Sequence, residues 1–137
     1  MSIDMLEKPC IQSRGFKNVE SHGNVTGFQV NIRSLYYRGL WLSQLRPATV
    51  TVDGETFSGE QITWTINDVT YTQAEMIALG DVHWGLLEPA TLTVAKEGGL
   101  ESGSHEIEVN YTYSCSYFPP VVDTILGGTQ KRTLILV

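Results

Sequence analysis

Ser104-His-Glu-Ile-Glu-Val-Asn-Tyr-Thr-Tyr-Ser-Cys-Ser-Tyr117 sets Ile107, Val109, Tyr111, Tyr113, Cys115 and Tyr117 at every second position, with Glu106, Glu108, Asn110, Thr112, Ser114 and Ser116 between them. Alternation with period two marks a β-strand that buries one face and wets the other. At about 3.3 Å per residue, a strand of this length crosses a small domain from rim to rim. Tyr and Val favour the extended backbone, and each tyrosine adds a large buried area with a polar tip. The run is expected to stop at Phe118-Pro119-Pro120, because two residues without N–H groups cannot continue a ladder. It reads as the central strand of an all-β domain.

Working outward, residues 90–95 repeat the pattern with Leu92 and Val94 inward, and residues 25–33 do so with Phe28, Val30 and Ile32. Residues 48–52 and 55–57 flank Asp53-Gly54, a pair suited to a type I′ hairpin turn. Ile62, Trp64 and Ile66 alternate with Thr63 and Thr65, and Asn67-Asp68 turns the chain into a further strand. Thr72 with Glu75 three residues on forms a capping box, which predicts a helix over 73–79 closed by Gly80. Residues 35–45 and 83–89 read as two unusually aromatic connections. After Pro120 a loop through Gly127-Gly128 is expected, then a closing strand over 132–137. Residues 1–24 lack clear periodicity and read as a segment partly ordered or laid against a partner. Short strands with hairpin turns predict an antiparallel β-sandwich, jelly-roll-like, with one short helix in a single domain over 1–137.

A chain of 137 residues, 42% of them apolar, can bury an ordinary core. Its charge of −6 argues against nucleic acid and anionic membrane as partners, since both select basic patches. Cys10 and Cys115 make neither a disulfide framework nor a zinc pattern. No apolar run approaches the length of a membrane span, and Met1 to Cys10 has no signal-like apolar segment. The expected setting is reduced and cytoplasmic.

The catalytic chemistry is sparse. His22, His83 and His105 stand singly on different elements, without the paired histidines and glutamate of a cupin metal site. His105 is expected on the solvent face of the long strand, and Asp53, Glu55, Glu106 and Glu108 are read as solvated. No catalytic residue and no metal ligand set is assigned to this chain. Attention falls instead on Tyr36-Tyr37-Arg38-Gly39-Leu40-Trp41, which has the composition of an interaction hot spot. A loop sealing the sandwich end and an aromatic platform for a sugar remain open beside that reading. Tyr36, Tyr37, Arg38, Trp41 and Trp84 are the expected partner-binding residues, and His83 and Glu88 the expected substrate-proximal ones.

Several motifs stand in a telling order: Tyr36-Tyr37-Arg38-Gly39 ending in Leu42-Ser43, the Thr49-Val-Thr-Val-Asp-Gly-Glu55 hairpin, Trp84 with Glu88-Pro89-Ala90, Gly98-Gly99-Leu100, and Gly103-Ser-His-Glu-Ile-Glu-Val109. From about Phe28 to Pro119 the chain resembles the small (beta) subunit of bacterial C-glycoside deglycosidases. The resemblance implies a β-sandwich that works with a larger alpha subunit, itself similar to sugar-isomerase TIM barrels. That partner is expected to carry a divalent metal of Mn or Mg type and the catalytic base, in a hetero-oligomer of αβ pairs. The implied reaction cleaves the sugar–aryl carbon–carbon bond of 3-oxo-C-glycosides of flavonoid type. The competing expectation is an independent cytoplasmic sugar-binding or adaptor module.

Overall fold

A computed structural model of the chain describes residues 7–35, 39–113 and 126–137. In chain order these residues form β1 (Ile11–Ser21), β2 (Asn24–Ile32), β3 (Leu40–Trp41), β4 (Thr49–Val52), β5 (Glu55–Phe57), β6 (Ile62–Ile66), β7 (Val69–Thr72), α1 (Gln73–Met76), β8 (His83–Trp84), β9 (Ala90–Ala95), β10 (Gly103–Tyr113) and β11 (Leu126–Leu136). Every strand pairing is antiparallel. A five-stranded sheet runs β1-β2-β9-β6-β7, a four-stranded sheet runs β11-β10-β4-β5, and β3 and β8 form a separate two-stranded ribbon. The architecture is the expected antiparallel β-sandwich.

The alternation in β10 does what its pattern predicts: Ile107, Val109, Tyr111 and Tyr113 are buried, and the strand lies between β11 and β4. Residues 114–117 and Pro119-Pro120, expected to end it, fall outside the described residues. Facing β10 from the other sheet are Phe28, Val30, Trp64, Leu92 and Val94, all fully buried. Trp64 meets Tyr111 edge to face at 5.9 Å, and Phe28 meets Phe57 at 5.6 Å. These perpendicular pairs suit the aromatic quadrupole and join the two layers. At one side of the sandwich, Arg132 on β11 donates to Ile11 O at 2.8 Å and pairs with Glu7 at 2.9 Å.

The structure revises several expectations. Residues 11–21 form a long edge strand rather than an unpatterned segment. A bulge at Gly15, φ +81°, shifts the register between Gln12 and Lys17 and so erases the alternation. Gly127 and Gly128 lie within β11 rather than in a loop, paired with Thr112 and Tyr111, and glycine is required at 127 because a Cβ there would run into Tyr111 O across the ladder. The capping box forms as expected, with Thr72 N donating to Glu75 Oε1 at 2.8 Å. The helix nevertheless ends at Met76, and tighter bonds such as Leu79 N to Met76 O take over. His105 shares the odd parity of Ile107, so its ring turns to the core side at the sandwich rim and is 11% exposed, not solvent-facing.

The two outer faces differ in kind. On the four-stranded sheet, Lys131 lies 3.7 Å from Glu106 and 3.1 Å from Glu108. On the five-stranded sheet, Thr63 stands opposite both Thr72 and Thr93, and Thr65 opposite both Thr70 and Thr91. Gln29 and Asn31 extend these two rows onto β2.

Candidate functional site

The two aromatic connections are one structure. β3 and β8 pair so that Leu40 lies opposite Trp84 and Trp41 opposite His83. Leu40 and Trp84 are fully buried, while Trp41 is 44% exposed and His83 is exposed. The outward pair meets edge to face, with ring centroids 4.9 Å apart at 68°. Gly39 makes this possible. Its φ is +74°, and a Cβ there would lie 2.6 Å from both His83 Cε1 and Trp84 O. Hydrogen bonds hold the ribbon in place: Leu42 N donates to Val82 O at 2.9 Å, Ser43 N to Leu79 O at 3.2 Å, and Trp41 N to Gln44 Oε1 at 2.8 Å.

Trp84 is a correction. Its indole has no exposure, packs at 5.6 Å from Trp64 and 5.9 Å from Tyr111, and donates Nε1–H to Glu88 O at 2.6 Å. Strand parity explains why: β8 turns alternate residues to opposite faces, so His83 takes the surface and Trp84 the core. A side chain so placed cannot bind a partner. Glu88 is half-buried, and its Oε2 has no hydrogen-bond partner. Tyr36, Tyr37 and Arg38 lie outside the described residues. On one side of them, Leu35 N donates to the buried Tyr111 hydroxyl at 2.9 Å; on the other is Gly39. Burial raises the Tyr111 pKa above its ordinary value, so the phenol stays a neutral anchor.

A second constellation, unread in the sequence, sits at the β4–β5 turn. His105 Nδ1 lies 2.6 Å from Asp53 Oδ2, its Nε2 lies 2.6 Å from Glu101 O, and Asp53 Oδ1 accepts from Glu106 N at 2.8 Å. Both partners of the ring only accept, so only the imidazolium satisfies both. The Glu101 carbonyl above all, with the Asp53 carboxylate, raises the His105 pKa above 6.5 against the opposing effect of desolvation. The Glu106 N–H and His105 lower that of Asp53 below 3.8. With both nitrogens engaged, His105 is a clamp on the hairpin and not a free base. The signal was its odd number, shared with the inward residues.

The clamp carries a pH prediction. A histidine whose pKa rises on folding contributes stability that is complete below pH 6.5 and fades as pH climbs through the folded value. The carboxylate contribution is complete above pH 3.8 and fades as pH falls through its lowered value. The stability difference between parent and His105→Gln should therefore be greatest near pH 5 and shrink by pH 9. With Asp53 half-exposed, it should not exceed about 1 kcal/mol. Urea unfolding at several pH values reads it directly, and a difference that grows with pH would contradict the clamp.

Among the described residues no three His, Cys, Asp or Glu side chains converge to hold a metal. Cys10 is buried, and desolvation pushes its thiol up to about 11, far from a thiolate nucleophile at neutral pH. No helix among the described residues is long and apolar enough to cross a membrane.

The fold and its site thus describe a β-sandwich with an exposed aromatic edge and no assembled catalytic set among the described residues. Residues 6–117 match the family model for the C-glycoside deglycosidase beta subunit. The chain belongs to that family. It is 44% identical to a C-glycoside deglycosidase beta subunit of Eubacterium cellulosolvens over 132 residues, which covers 96% of this chain and 90% of the relative. It is also similar, at 31% identity over 94 residues, to a 3'-dehydrocarminate deglycosidase beta subunit of a Microbacterium species, covering 69% of this chain and 70% of the relative.

Proposed function

We propose that this chain is the non-catalytic partner in a hetero-oligomer of αβ pairs, docked through the Trp41–His83 edge and the adjoining Tyr36, Tyr37 and Arg38. The α subunit, on this reading a TIM barrel resembling sugar isomerases, holds the Mn- or Mg-type metal and the catalytic base. The substrate is a 3-oxo-C-glycoside of flavonoid type, processed in the cytoplasm by a carbon–carbon lyase reaction. The 3-keto group acidifies the neighbouring C2–H, and electrophilic stabilisation of the enolate allows the aryl group to depart as its ring carbon is protonated. His83 and Glu88 are the residues of this chain proposed nearest the substrate.

The observation that carries the reading is the Trp41–His83 pair: an indole 44% exposed on a ribbon whose other face is locked into the core. A rigid aromatic anchor of this kind suits an interface hot spot. The test measures binding to the α subunit, and turnover of the complex, for Trp41→Ala, Arg38→Ala and Arg38→Lys. Each is expected to fold like the parent yet assemble about thirtyfold more weakly, a loss of about 2 kcal/mol. Lysine should fail because it lacks the planar fork and stacking face of arginine. Deglycosylation by the isolated chain would overturn the division of labour. Sugar binding by a chain indifferent to any α subunit would favour the adaptor alternative.

A further inference from the structure

We infer that the uncharged outer face of strands β2, β9, β6 and β7 in the five-stranded sheet is a second docking surface for the α subunit, forming the centre of a protein–protein contact. The inference rests on the proposed αβ assembly and adds a surface remote in sequence from the Trp41 edge. On the facing strands β2, β9, β6 and β7, the six threonines with Gln29 and Asn31 leave no outward register position to a charged residue. Yet the chain carries 24 charged side chains, the sum of 9 Lys and Arg and 15 Asp and Glu. The outer face of the four-stranded sheet uses its share, binding Lys131 to Glu106 and Glu108. Charge is thus segregated by face, and depletion of charge is the mark of an interface core.

Several polar groups of the face are also held in place before any partner arrives. Thr65 and Thr70 hydroxyls lie 2.8 Å apart, Thr91 donates to Asn31 at 2.7 Å, and Gln29 donates to Gly15 O at 3.0 Å. Branched side chains with satisfied hydroxyls lose little rotamer freedom on docking, whereas lysine or glutamate would lose much more. Lys17 on β1, Glu60 before β6 and Asp68 in the β6–β7 turn frame the neutral rows with charge. Four strands about 4.8 Å apart, with about 17 Å of strand length, make a patch of roughly 300 Å². That is the core of a standard interface and less than its roughly 800 Å² per partner. The chain supplies an extension: Thr72 caps α1, Ile77 beyond it is 67% exposed, and Leu79 O accepts from Ser43 N, two residues from Trp41. A second copy fits less well, because two chains each of charge −6 repel one another on approach.

Thr93 sits on β9 between Gln29 and Thr63. The experiment places one charge there, as Thr93→Arg and Thr93→Glu, with Thr133→Arg on β11 of the opposite sheet as control. Thermal unfolding and light scattering are run on each free chain, and affinity for the proposed α subunit is measured by titration. Both Thr93 variants should fold as the parent does and bind at least about thirtyfold more weakly, since either sign of charge would be buried unpaired. Thr133→Arg should bind as the parent. Parental binding by both Thr93 variants overturns the docking face while leaving the αβ reading intact, which the Trp41 and Arg38 variants test separately. Loss of a parental homodimer with α binding unchanged assigns the face to a second copy and overturns the proposal. A parent that binds no α subunit overturns both readings.

Discussion

Truncating Trp84 to alanine is expected to remove about 3–5 kcal/mol of folding stability, as emptying a large aromatic site in a packed core does. Trp84 is fully buried between Trp64 and Tyr111, so the lost volume lies where the two sheets and the β3–β8 ribbon meet. Its Nε1–H is the donor to Glu88 O at 2.6 Å, and the variant leaves that carbonyl without its partner. Against a total of about 5–15 kcal/mol for a domain, the loss should be plain in a urea titration of the free chain. Trp84→Phe keeps the ring stacking and most of the volume, and should lose less. A residue that served only a partner would leave the free chain unchanged and weaken assembly alone. That result would return Trp84 to the surface role its composition first suggested.

The contrast between Trp41 and Trp84 shows what could be read in the sequence and what could not. Sheet residues announced themselves wherever alternation ran unbroken, as in β10 and β9, because period two maps directly onto two faces. Where a glycine bulge broke it, as at Gly15 in β1, an eleven-residue strand passed unrecognised. The Gly127-Gly128 pair misled in the opposite direction. It is a strand sequence with no side chains to show a period, where β10 crowds Gly127 and Gly128 takes a positive φ of +131°. At the candidate site, composition picked out the aromatic connections but not their pairing, which joins residues about 40 positions apart by only two register pairs. Without that pairing, no rule says which tryptophan faces water. His105 differs: its odd number, shared with Ile107, already marks the inward face, and only its meeting with Asp53 at the β4–β5 turn needed the fold.

Replacing Gln73, the first residue of α1, should cost about 3 kcal/mol, a large effect for a side chain with no packing role evident from sequence. Its Oε1 accepts from Ala48 N at 2.6 Å and Trp64 Nε1 at 3.0 Å, and its Nε2 donates to Ala48 O at 3.2 Å and Gly59 O at 3.3 Å. Ala48 and Trp64 are almost wholly buried, so water cannot readily take the place of the amide. Each buried polar group left unpaired costs about 1–3 kcal/mol, and neighbouring losses do not add in full. Gln73→Met keeps length and bulk while deleting the bonds, which separates hydrogen bonding from volume. Gln73→Glu is the sharper variant. Its carboxylate could still accept from Ala48 N and Trp64 Nε1 but would face two carbonyls where the amide donated. Folding should therefore raise its pKa above the ordinary glutamate value, making the deficit smaller at pH 4, where the protonated acid donates again, than at pH 7. A double-mutant cycle with Trp64→Phe should give a coupling of about 1 kcal/mol between the indole N–H and the amide. Gln73→Met as stable as the parent, or a Gln73→Glu deficit indifferent to pH, would mean that water satisfies these groups and that α1 is fastened to the sandwich by its apolar contacts alone.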